Sequence, residues 1–138
     1  MPDIIATHKL THEASMKMLA AGVAEAERLK CKISLAVVDQ SCQLIGFLMM
    51  DGARFFSGRT TIKKAITSAS QRLPSGYERE EKVISMQIRM DGDFTNVAGG
   101  FPITVAGQVI GAVAAGGAKI EEDVAVAKAA LAALGTLA

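Results

Sequence analysis

Ile33-Ser34-Leu35-Ala36-Val37-Val38 and Gln43-Leu44-Ile45-Gly46-Phe47-Leu48-Met49-Met50 flank the polar stretch Asp39-Gln40-Ser41-Cys42. Short runs of β-branched and large aliphatic residues joined by a polar turn predict a β-hairpin. Both runs are apolar at nearly every position, which predicts a sheet covered on both faces. Phe101 to Val105 and Gln108 to Ala115 repeat the form around Ala106-Gly107. Alanine disfavours positive φ, so a turn wider than two residues is expected there.

Helical patterns surround the hairpins. Thr11 is a candidate N-cap, and Met16, Leu19, Ala20 and Val23 recur at helical spacing toward Leu29. Beyond Asp51-Gly52, Ile62, Ala65, Ile66 and Ala69 share one face, leaving Lys63, Lys64, Thr67 and Ser68 on another. Pro74-Ser75-Gly76 interrupts the chain, after which Val83, Met86 and Met90 predict a charged third helix beginning near Tyr77. Asp91 to Gly100 reads as a loop. The last helix starts at Glu121-Glu122-Asp123, acids suited to a positive helix end, and runs to Gly135. The order helix, hairpin, two helices, hairpin, helix predicts one α+β domain over 1–138, with a central antiparallel sheet of four or five strands flanked by helices.

Composition narrows the function classes. Half of the 138 residues are hydrophobic but only 4% are aromatic, with no Trp, so the interior is built from Ala, Val, Ile, Leu and Met. Fifteen basic and fourteen acidic residues leave a net charge of +1, which gives no field for attracting nucleic acid or an anionic membrane. No apolar run at the N-terminus suggests a signal or a spanning helix, and the cytoplasm is the expected compartment. Cys31 and Cys42 lack CxxC spacing, and no disulfide is indicated. Abundant Ala and Gly with a mean hydropathy of +0.30 predict apolar surface left to cover, hence a homo-oligomer.

Several residues are candidates for a site. His8 and His12, the only histidines, are four apart and would share a face if the first helix extended back to both. They suit a metal or haem iron, whereas Thr11 as cap leaves His8 in coil. Glu78 and Glu81 form an ExxE spacing that on a helix could hold a cation, or could serve the helix dipole. Asn96 to Pro102, with Gly99 and Gly100, offers unblocked N–H donors to a carboxylate, or a close backbone approach. Arg54, Phe55 and Phe56 suit a flat aromatic acid, the rings stacking and the guanidinium holding the carboxylate, yet both rings also suit a core or an interface. Lys64 is a second candidate for an anionic group, and Tyr77 beside Glu78 or Glu81 for proton transfer. No Ser-His-Asp set, phosphate loop, dinucleotide fingerprint or zinc-ligand set is present, and no residue is assigned to a structural metal.

Ser34 to Asp39, Met50-Asp51-Gly52-Ala53, Lys64-Ala65, Gly99-Gly100-Phe101-Pro102-Ile103, Val109 to Val113, Gly116-Gly117 and Glu121-Glu122-Asp123 together resemble the GlcG/HbpS family, the haem-degrading-domain family related to the C-terminal domain of PduO-type proteins. The resemblance runs from Leu10 to Leu134. It implies a profilin-like fold and assembly into dimers or rings. By the same resemblance the leading function is binding of a small molecule, haem or a related tetrapyrrole, at His12 or the glycine loop, and the ExxE of Glu78 looks like an iron-binding element of some haem-binding relatives. Haem is the one cofactor so implied. The alternative is a small cofactor-free lyase or isomerase on an aromatic acid of the hydroxylaminobenzoate type, with Arg54 or Lys64 holding the carboxylate and Tyr77, Glu78 or Glu81 moving protons. The chain departs from many relatives at Arg54-Phe55-Phe56 and at Ser70-Gln71.

Overall fold

A computed structural model describes residues 2–137. Helix α1 (His12–Leu29) starts where Thr11 Oγ1 accepts the Ala14 N–H at 3.0 Å, a cap that contributes about 1 kcal/mol. It ends at Lys30, whose left-handed backbone sends its N–H back to the carbonyls of Ala26 and Glu27. Its buried face is Ser15, Met18, Gly22 and Ala26, turned from the expected stripe, and Met16 is largely exposed. Small residues let the helix sit down: a Cβ on Gly46 would collide with Ser15 Oγ, and one on Gly22 with Leu35.

Strands β1 (Ser34–Asp39) and β2 (Leu44–Met49) form the first hairpin. Its turn is built by Asp39, whose Oδ1 accepts the N–H groups of Ser41 at 2.9 Å and Gln43 at 3.0 Å. Strands β3 (Gly100–Val105) and β4 (Gln108–Gly116) form the second. The order across the one antiparallel sheet is β2-β1-β4-β3, so the four strands expected at the lower bound are those found among the described residues. The β3–β4 turn is tighter than expected, because Ala106 and Gly107 both take positive φ, 49° and 77°.

Helices lie on both faces. Odd-numbered residues Leu35 and Val37, with Val113 and Ala115, meet α1 and α4 (Ile120–Ala132). Even-numbered Ala36, Val38, Ala112 and Ala114 meet α2 (Ser57–Gln71) through Ala65 and Ala69. The fold is α+β and profilin-like, as the resemblance implied. Two-sided cover holds for β1 and β4, but β2 is an edge strand with Leu44, Phe47 and Met49 exposed.

Two helix expectations change. The third helix, α3 (Val83–Arg89), begins well past Tyr77, after a single 3-10 turn at Glu80–Lys82. On α2, Lys64, Thr67 and Ser68 are buried, because a sheet face made of alanine leaves room for polar side chains; Lys64 donates to the Ala115 carbonyl and Thr67 Oγ1 accepts the Thr95 N–H at 3.0 Å. No helix among the described residues is long and apolar enough to cross a membrane.

Candidate functional site

His12 occupies the first position of α1 and is exposed, with Thr11 fixing the helix start just before it. His8 is exposed in the extended segment that precedes the cap, so the two imidazoles do not share a helical face. Leu10, buried between them, pins this segment to the sheet by packing on Gly111. A further tie is polar: Gln108 Nε2 donates to Thr7 Oγ1 at 2.8 Å.

The pinned segment is bordered by two adjoining clefts. One, about 280 Å³, is walled by Leu10, Ala14, Val105, Ile110 and Leu134 and has His8 at its rim. The other, about 440 Å³, runs between Leu10, His12 and Ile45. Lys9 and Thr11 line both. The larger groove at the opposite side of the turns, about 960 Å³, is polar and lined by Gln40, Ser41, Arg72 and Gln108.

Lys64 does not face a ligand. Its ammonium is buried and donates to Asp123 Oδ2 at 3.0 Å and to the Ala115 carbonyl at 2.9 Å, while Asp123 Oδ1 accepts the Ala118 N–H at 3.0 Å. Burial pushes the Lys64 ammonium below its ordinary value against the opposing pull of Asp123. Burial likewise pushes the Asp123 carboxyl up, opposed by Lys64 and the Ala118 N–H. The pair therefore ties α2 to the start of α4. The sequence signal was the polar repeat Thr61, Lys64, Ser68 at helical spacing, which marks a second buried face.

The glycine loop is likewise structural. A Cβ on Gly100 would stand 2.5 Å from the Lys64 carbonyl oxygen, and one on Gly99 2.6 Å from that of Ala115. Both glycines are buried, so their role is helix-to-strand approach and not contact with a carboxylate. Asn96 clamps the segment before α3: its Oδ1 accepts the Glu78 N–H at 2.8 Å and its Nδ2 donates to the Glu78 carbonyl at 2.8 Å.

The expected proton-transfer group is dispersed. Glu78 Oε1 accepts the Arg79 N–H at 2.9 Å, Glu81 sits 3.5 Å from Arg79 Nε at the surface, and neither acid lies on a shared helix face. No cluster of three metal-ligating side chains occurs among the described residues. Burial and the Glu78 carboxylate push the Tyr77 phenol up, so it stays protonated at neutral pH. Arg54, Phe55 and Phe56 are all exposed at the start of α2, away from any partner to Lys64, and Arg59 stands 5.5 Å over the Phe56 ring. Cys31 and Cys42 are free thiols.

Residues 10–132 match the family model described as haem degrading protein HbpS-like. The chain is 32% identical over 105 residues to protein GlcG of Escherichia coli strain K12, covering 75% of this chain and 78% of that one. A double mutant of Streptomyces reticuli HbpS superposes with a TM-score of 0.86 at 28% identity, covering 96% of this chain and 92% of that one. The PduOC:haem complex superposes with a TM-score of 0.84 at 22% identity, covering 93% and 96%. With the sheet order, the double helical cover and these matches in agreement, the chain belongs to the GlcG/HbpS family of HbpS-like haem-degrading proteins.

Proposed function

We propose that this chain binds haem or a related tetrapyrrole at the N-terminal end of α1, with His12 offering the imidazole. The observation that carries this is the pair of apolar clefts beside His8 and His12, joined through Leu10 and Thr11. A flat macrocycle suits an apolar wall and its iron a nitrogen donor, and Leu10, Ala14, Ile45 and Ile110 with His12 would hold such a group. Lys9, which lines both clefts, suits a propionate as a point charge. The HbpS-like family description and the fold shared with a haem complex support the same ligand.

Bound haem would supply the iron chemistry. The chain's own contribution is to hold and orient: the Thr11 cap fixes the first turn of α1 and thereby the position of His12, and buried Leu10 anchors the wall. Lys64, Asn96, Gly99 and Gly100 act at a distance as scaffold. Titration with haem is expected to give a shifted Soret band at equimolar ligand, and His12→Ala is expected to weaken binding about tenfold or more. A spectrum that stays that of free haem overturns the reading.

A further inference from the structure

We propose that the polar groove at the hairpin turns binds an open-chain sugar acid, its carboxylate on Arg72 and its hydroxyls on Gln40, Ser41, Ser70 and Gln108. The groove, about 960 Å³, has the size of a small-molecule site and shares no lining residue with the clefts beside His8 and His12. Three parts of the fold build it. Residues 40–42 come from the β1–β2 turn, Ser70 and Arg72 from the end of α2, and Gly107 and Gln108 from the β3–β4 turn and the start of β4.

Backbone strain gathers at the same place. Of the five non-glycine residues with positive φ, Cys42 at 63° and Arg72 at 61° line the groove, and Ala106 at 49° adjoins Gly107 on its rim. A residue with a Cβ is strained in this conformation, and such strain collects at ligand sites. Glycine is the usual residue where a helix ends in left-handed backbone, and a cation serving the dipole of α2 could stand in its last turn, which holds none. Neither the helix end nor its dipole therefore calls for arginine at 72. Its guanidinium makes no ion pair among the described residues.

The lining selects the ligand chemistry. Arg72 is its sole charge, so the groove balances one negative charge, a carboxylate and not a doubly charged phosphate. The other polar groups are amides, hydroxyls and the Cys42 thiol, a set suited to hydroxyls on the ligand. Burial, with Asp39 and Asp93 adding to it, pushes the Cys42 thiol up, so it stays protonated at neutral pH. Both acids lie outside the lining, and Asp39 Oδ1 is taken by the N–H groups of Ser41 and Gln43. The two amides are held in place, because Gln108 Nε2 donates to Thr7 Oγ1 at 2.8 Å and to Gln40 Oε1 at 3.4 Å. No aromatic ring lines the groove to stack on a flat face, which favours an open chain over a ring.

Amide NMR of the full chain titrated with sodium gluconate tests this. Saturable shifts are expected at Ser41, Ser70, Arg72 and Gln108. Acetate and sorbitol, which carry only the carboxylate or only the hydroxyls, are expected to bind about tenfold more weakly or less. Arg72→Gly, which suits the left-handed backbone, is expected to weaken gluconate binding about tenfold or more with the circular dichroism unchanged. Gln108→Glu, which sets a negative charge in the groove, is expected to weaken it likewise. An absence of shifts at about 50 mM gluconate overturns the inference, as does acetate or sorbitol binding as tightly as gluconate, or either variant binding as the wild type does.

Discussion

At Lys64 the chain buries an ammonium with only one carboxylate and one carbonyl to receive it. A carboxyl pKa raised by burial withdraws stability above that value, and a lysine pKa lowered by burial withdraws it below. Both shifts therefore work against the ionised pair between the two groups' ordinary values, a range that includes neutral pH. Losing one partner is worse, since the other charge stays buried and alone. Lys64→Met is expected to cost about 3–5 kcal/mol in urea unfolding, while Lys64→Met combined with Asp123→Leu is expected to regain most or all of it. A double variant as weak as the single would show that the carbonyl and N–H bonds of Ala115 and Ala118, and not the charges, hold α2 to α4. In the sequence Lys64 reads as a candidate for holding an anionic ligand, because a lysine's partner 59 residues away leaves no local trace.

At the scale of elements, the β3–β4 turn carries a correctable strain. Ala106 sits at φ 49° with its side chain exposed, followed by Gly107 at 77°, the backbone that favours Asn-Gly in a two-residue hairpin. Ala106→Asn is therefore expected to stabilise by about 1 kcal/mol and raise the melting midpoint by roughly 2–4 °C. An unchanged midpoint would mean that the turn relaxes in solution. Strand runs and turn residues were legible because strand pairing and turn chemistry are local. The helix starting near Tyr77 was misread, since Asn96 holds the Glu78 backbone groups that a first turn would need. The rotation of α1 was misread for a related reason: its closest contacts use Ser15 and Gly22, which a hydrophobic pattern does not weigh.

Over the whole molecule, the thickness of the α2 layer is set by alanine and glycine. Gly100→Ala would drive its Cβ into the Lys64 carbonyl and to 2.8 Å from Ser68 Oγ, and α2 would have to lift from the sheet. Overpacking of this kind is expected to cost about 1–3 kcal/mol, read as a lower thermal midpoint. A neutral result would show that α2 slides without penalty. The same closeness explains why the glycine loop, a plausible ligand contact in the sequence, is occupied by the protein's own backbone.

By itself the sequence determined the order of elements, the Asp39 turn, the α+β class and the family, all of which rest on residues near one another in the chain. It also placed the histidines on either side of Thr11. Only the tertiary structure decided which candidates face solvent and which face each other. Lys64 turned inward because Asp123 and the Ala115 carbonyl stand opposite, whereas Phe55, in the turn before α2, has nothing across from it and is 97% exposed. Burial of a side chain depends on what the fold brings across from it, and that neighbour is rarely adjacent in sequence.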